Sequence, residues 1–172
     1  MTERNPPDPL PSDETPVAAS RHTPRKPVDL GVLNEHVGYF ARRLQVWIFQ
    51  DFGRMLAKYD IRPAQFSVLV VIEANPGLSQ ADLADALGIQ RPRLVLVLDD
   101  LERRGLTRRL RLPRDRRYHS LALTREGLRK LKRIKSLAAL HEARLEEVLG
   151  PGKRDVLLPI LREFTRAAPA TA

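Results

Sequence analysis

Between Pro63 and Ala122 the apolar period of the chain changes, and few folds accommodate that change. Three stretches with helical spacing come first: Pro63 to about Ala74, Ser79 to Leu87, and Arg91 to Arg104. Pro63 suits the first position of a helix, and Asn75-Pro76-Gly77 ends that helix with turn chemistry. Ser79-Gln80-Ala81-Asp82 reads as a capping box in which the serine hydroxyl caps the backbone amides and Asp82 reciprocates. Gly88-Ile89 makes the next turn, Gln90 and Pro92 start the third helix, and Gly105 closes it as a left-handed cap. The spacing then falls to strict alternation. Leu106, Arg108, Leu110 and Leu112 on one arm and Tyr118, Ser120 and Ala122 on the other bracket Pro113-Arg114-Asp115-Arg116-Arg117, a pattern expected of a β-hairpin with a basic tip.

Longer helical patterns flank this core. From Leu30 to Tyr59 apolar residues recur as Val37, Phe40, Leu44, Ile48, Phe52, Met55 and Tyr59, which predicts one long helix. Tyr39, Val46, Trp47 and Phe49 lie off that stripe, so the helix needs burial on more than one side. Thr124 is placed to cap a helix running to about Leu149, and Gly150-Pro151-Gly152 breaks it before a last helix from Lys153 to Arg166. Residues 1–29 hold seven of the fourteen prolines and no aromatic residue, and are expected to form a disordered arm. Its basic end, Arg21, Arg25 and Lys26, reads as a solvated tail or as a DNA contact.

Charge narrows the range of partners. Thirty Lys and Arg against twenty-one Asp and Glu give a net charge of +9. Ten arginines and four acids fall between Ile89 and Arg117, a density that points to a polyanionic partner. The absence of cysteine excludes disulfides and thiolate metal sites and suits the cytoplasm. No run reaches the ~18 apolar residues of a membrane span. The four histidines, His22, His36, His119 and His141, have no metal-ligand spacing, and no glycine loop for phosphate is present. No enzyme, metal or cofactor is expected.

A helix fits the DNA major groove, and a hairpin tip reaches phosphates or the adjacent minor groove. Four motifs make the arrangement specific: Leu83-Ala84-Asp85-Ala86-Leu87-Gly88-Ile89, Leu98-Asp99-Asp100-Leu101-Glu102-Arg103-Arg104-Gly105-Leu106, Asp115-Arg116-Arg117, and Leu123-Thr124-Arg125-Glu126-Gly127. In this order and spacing the chain resembles the MarR family of transcription regulators, over roughly Leu33 to Phe164. The resemblance implies a mainly α fold with a small β-hairpin wing. Residues 61–123 would form a winged helix-turn-helix DNA-binding lobe, and residues 30–60 and 124–168 a helical dimerisation region. A two-fold homodimer would set its recognition helices in successive major grooves of a pseudo-palindromic promoter site on double-stranded DNA, usually as a repressor.

Within the third helix, Leu94, Val97, Leu98 and Leu101 fit the core stripe, which leaves Gln90, Arg91, Arg93, Val95 and Leu96 to face DNA. Arg suits guanine and Gln suits adenine, whereas Val95 and Leu96 stand where the family commonly has polar residues and suit thymine methyls instead. At the hairpin tip the resemblance makes Arg116 the first candidate for the minor groove and Arg114 the second, with Arg117 paired to Asp115. It also implies an effector, a small aromatic anion held between the dimerisation helices and the DNA lobe. His36, Tyr39, Arg43, Trp47 and Phe66 could line such a cleft, with core packing as the competing reading for the aromatic residues and a solvated or interface role for Arg43. Gly38-Tyr39-Phe40-Ala41-Arg42-Arg43-Leu44-Gln45 and Phe49-Gln50-Asp51-Phe52 are similar to members that regulate aromatic-acid breakdown, some of which sense aryl-CoA thioesters. The rival reading of the whole chain is a nonspecific architectural DNA-binding protein.

Overall fold

The computed structural model describes the backbone of residues 28–112 and 115–167, and the side chains of that span other than those of residues 111–119. The expected arm at 1–29 lies almost wholly outside the described residues. Residues up to His36 form one unit and those from Val37 onward another.

In the first unit, Gly31–Glu35 forms a 3-10 turn rather than the start of a long helix, and His36 is extended at φ −97° and ψ 111°. Local chemistry accounts for this difference. Gly31 takes φ 53°, its amide donates to Asp29 Oδ1 (2.9 Å), and Asn34 Nδ2 donates to the Gly31 carbonyl (3.2 Å). These bonds compete with helical ones for the same backbone groups.

The second unit contains α1 (Val37–Ala57), α2 (Pro63–Ala74), α3 (Gln80–Leu87), α4 (Arg91–Arg103), the antiparallel strands β1 (Thr107–Leu112) and β2 (Asp115–Leu123), α5 (Arg125–Leu149) and α6 (Lys153–Ala167). The expected mainly α fold with a hairpin wing is what the chain adopts. Its core gathers Leu56 and Phe52 from α1, Val68, Leu69 and Ile72 from α2, Leu83 from α3, and Leu94, Leu98 and Leu101 from α4. Leu106, Leu121, Leu131 and Ile134 close that core from the hairpin and α5.

Apolar surface outside the core is concentrated on the long helices. No residue of α6 is buried, and Val156, Ile160 and Phe164, four apart, expose one apolar stripe, with Phe164 69% exposed. Val37, Phe40 and Phe49 on α1, and Leu140 and Val148 on α5, are likewise exposed. Among the described residues no helix is long and apolar enough to cross a membrane.

Candidate nucleic-acid interface

The short helices are set by their ends. Ser79 Oγ accepts the Asp82 amide (3.1 Å), as expected of a cap, but its hydroxyl donates to Asp82 Oδ2 (2.7 Å), so Asp82 closes the box on the side chain rather than on the Ser79 amide. Gly88 ends α3 at φ 59°, a left-handed conformation that a side chain would strain. Only one intervening residue then separates that turn from Gln90, the N-cap of α4.

The core side of α4 is Leu94, Leu98 and Leu101, with Val97 half-buried at its margin. Gln90, Arg91, Arg93, Val95 and Leu96 are all exposed, Leu96 at 71% and Val95 at 40%. At 100° per residue they do not share one direction. Leu96 projects opposite the buried stripe with Pro92, Asp99 and Arg103. Arg93 lies towards α2, where it lines an open cleft of about 450 Å³ with Leu96, Asp100 and Arg104 and with Asp60, Arg62, Ala64 and Gln65. Arg91 and Val95 occupy the other flank, the one followed a turn or two later by Glu102, which meets β1.

Ion pairs sort the arginines that sequence could only count. Asp100 receives Arg104 Nη1 (3.2 Å), Arg103 and the nearly buried Gln65 Nε2 (2.8 Å), while Arg104 also reaches Asp60 Oδ2 (3.0 Å). Burial works to raise the Asp100 carboxyl, but Arg104, Arg103 and Gln65 outweigh it and hold it below the ordinary carboxylate value. On β1, Arg109 pairs with Glu102 and with Asp99 Oδ1 (2.6 Å), and its amide donates to Glu102 Oε1 (3.0 Å). Burial opposes the Arg109 charge, and the two carboxylates more than restore it. The three acids of α4 are thus consumed by Arg103, Arg104 and Arg109. Arg91, Arg93 and Arg108 remain exposed, with no ion pair among the described residues. Free positive charge on α4 therefore sits in its N-terminal half, where the helix dipole also favours an anion.

The hairpin is anchored to the same lobe. Thr107, Arg108, Arg109, Leu110 and Arg111 pair with Leu123, Ala122, Leu121, Ser120 and His119, and the register slips between Arg111 and Leu112. The Leu121 amide donates to the Leu78 carbonyl (2.9 Å) and Ser79 forms an isolated β-bridge with Ser120, so the α2–α3 connection is tied to the edge of the two-stranded hairpin. At the other end, the Leu106 carbonyl accepts the Thr124 amide (3.1 Å), and Thr124 Oγ1 donates to the Gly105 carbonyl (2.6 Å) and caps α5 through the Gly127 amide (3.0 Å). Two of the four motifs, Arg104-Gly105-Leu106 and Thr124 to Gly127, are the two halves of this joint. Of the tip candidates, Arg114 lies outside the described residues. Asp115, Arg116 and Arg117 begin β2, and their side chains lie outside the described residues.

The residues proposed to line an effector cleft fall into groups. His36 belongs to the first unit, where it is exposed. Tyr39 stacks edge-on with Phe40 (5.2 Å), and Arg43 Cζ lies 6.0 Å from the Tyr39 ring centroid. Trp47, one turn further along the same face of α1, belongs to a second aromatic group with Phe52, Phe66 and His141. His141, from α5, lies between Trp47 (5.9 Å, 23°) and Phe52 (5.0 Å, 21°), and Phe66 meets Phe52 edge-on (5.1 Å). The His141 Nδ1 is 3.1 Å from Oδ2 of the buried Asp51. Neither Asp51 nor His141 was singled out as a site residue from sequence. Their one signal is an acid and a histidine on the inner faces of two amphipathic helices, ninety residues apart.

A family model described as MarR family matches residues 59–117. The chain is 32% identical, over 79% of its length and 82% of the relative's, to a putative transcriptional regulatory protein for the hcr operon of Thauera aromatica. Among solved structures it is similar to the transcriptional repressor CouR bound to a 23-mer DNA duplex, with 46% identity, a TM-score of 0.77, and coverage of 81% of this chain and 99% of that one. It is also similar to CouR bound to p-coumaroyl-CoA, with 44% identity, a TM-score of 0.75, and coverage of 83% and 100%.

Proposed function

This chain belongs to the MarR family, and on that premise we propose that it is a ligand-responsive transcription repressor that binds a pseudo-palindromic promoter site as a homodimer. The observation that carries the reading is the exposed N-terminal half of α4, where Arg91 and Arg93 have no ion pair among the described residues while the acids of the helix are taken up by other arginines. Arg93 and Arg91 are the guanine readers and Gln90 the adenine reader, and Val95 and Leu96 meet thymine methyls. Arg116 enters the minor groove from the wing, with Arg114 as the alternative and Asp115 steadying Arg117. CouR, whose structure was determined on a DNA duplex, supports this assignment by its similarity over most of the chain.

Residues 61–123 act as the DNA-binding lobe, and 30–60 with 124–168 as the dimerisation region. Support for the dimer comes from α6, which buries no residue of its own and exposes Val156, Ile160 and Phe164 in one stripe. The effector is a small aromatic acid or its CoA thioester, received near Tyr39, Arg43, Trp47 and Phe66. The p-coumaroyl-CoA bound by CouR supports this ligand class.

Titration of fluorescent duplexes at physiological salt tests the reading. A duplex carrying the promoter beside the protein's own gene should bind at least about 10³ times more tightly than random DNA. Equal affinities would instead assign the chain to the architectural class.

A further inference from the structure

We propose that His141, held by Asp51, is the polar anchor for a hydroxylated aromatic effector, accepting the ligand's phenolic O–H at Nε2 while the ligand ring lies among Trp47, Phe52 and Phe66. The proposal rests on the effector reading above and specifies its chemistry.

The argument begins at the carboxylate. Asp51, 1% exposed, accepts Arg54 Nη2 (3.0 Å) on Oδ1, has Arg144 Nη2 in ion-pair range of the same oxygen (3.4 Å), and faces His141 Nδ1 (3.1 Å) with Oδ2. Burial works to raise its pKa, but Arg54, His141 and Arg144 prevail, so the group stays an anion. A carboxylate only accepts hydrogen bonds, so the imidazole proton resides on Nδ1. In the neutral ring this leaves a lone pair at Nε2, on the edge turned away from Asp51.

Nε2 is buried, and it has no protein hydrogen-bond partner among the described residues. An acceptor left this way is costly, and the large majority of buried polar side-chain atoms are paired. The bond from Nδ1 to Asp51 accounts for a histidine at this position but gives Nε2 nothing to do. The surroundings state what the missing partner looks like. Trp47 and Phe52 stack on His141 and Phe66 closes on Phe52, so the donor must arrive on a flat apolar body. Trp47 and Phe66 are partly buried while Phe52 and His141 are buried, so those two outer rings are the side from which a ligand would have to approach Nε2. A phenol meets both requirements, whereas its methyl ether has the shape without the proton.

Calorimetric titration of the full chain with 4-hydroxycinnamoyl-CoA, cinnamoyl-CoA and 4-methoxycinnamoyl-CoA, and with the three free acids, tests this. The wild-type protein should bind the hydroxylated member of a series about tenfold or more tightly than both analogues, because a site built for a hydroxyl rejects ligands lacking it. His141→Phe should bind all three within about threefold of one another. Asp51→Asn provides a readout that a merely structural role would not move. Its amide keeps an oxygen towards the arginines and turns an N–H to Nδ1, which drives the imidazole proton to Nε2 and shifts preference to the methyl ether. Equal binding of phenol and ether by the wild type, or a surviving phenol preference in either variant, overturns the anchor role alone. Failure of all six compounds to bind overturns the effector reading and this proposal with it.

Discussion

Gly127→Ala probes the joint between the wing and α5. A methyl added at this glycine would stand 2.0 Å from the Leu106 carbonyl oxygen and 3.0 Å from its carbon, whereas ordinary contact begins near 3.4 Å. The obstacle is backbone, so α5 or the α4–β1 turn must retreat by more than 1 Å. The same carbonyl accepts the Thr124 amide, and Thr124 Oγ1 donates to Gly105 beside it, so the retreat also strains these bonds. Overpacking of this kind costs about 1–3 kcal/mol, and each weakened hydrogen bond about 1. The better helix propensity of alanine returns about 1 kcal/mol. The expected net loss is about 3 kcal/mol, or a melting temperature lower by about 6–12 °C for a chain of this size. Calorimetric melts at one fixed protein concentration measure it, since dimer stability varies with concentration. Ser136→Ala, at an exposed site on α5, supplies the propensity effect alone. A Gly127→Ala protein melting at or above the wild-type temperature would refute the reasoning, because propensity alone predicts that result.

The ion-pair pattern separates arginines that look alike in sequence. Arg93→Ala should weaken binding to the best DNA site by about tenfold or more and change base preference, as loss of a bidentate base contact costs about 1–3 kcal/mol. Arg103→Ala, already paired with Asp100, should stay within about threefold of wild type, since exposed pairs contribute little; equal effects of the two in competition binding would contradict the sorting. Asp51 and Asp100 are both held below the ordinary 3.8 in the folded chain. Their contribution is therefore present above that value and lost as pH falls through the depressed one. Melting temperature should fall below about pH 4, and less steeply in Asp100→Asn; identical acid limbs would count against the network. Phe164→Glu should move the chain from dimer to monomer in light scattering, and an unchanged mass would rule the α6 stripe out as the interface.

Much of the fold was legible because its signals are local. Ser79, Gly88, Gly105 and Thr124 each set an element end through groups within a few residues, and the drop from helical to alternating spacing at Leu106 marks the hairpin. The helix expected from Leu30 failed for an equally local reason, since Gly31 and Asn34 offer the backbone bonds that oppose it. The bridge from Ser79 to Ser120 has no sequence signal, because a single bridging residue has no period. In the candidate interface, exposure of the α4 positions followed from the apolar stripe, but which arginines keep their charge depends on reach. Arg109 finds Asp99 and Glu102 across a helix-to-strand turn, and nothing in their spacing distinguishes it from Arg108. Asp51 and His141 meet only because α1 and α5 pack together, a contact that neither helix announces by itself.

Hydroxyl-radical footprinting on DNA selected by the full chain from a random pool tests the central claim most directly. The account gives two protected segments related by a dyad, with centres one helical turn, about 10 bp, or a multiple of it apart, and selected sequences that share a pseudo-palindrome. A single unsymmetrical patch of protection, or uniform protection on unselected DNA, would contradict it.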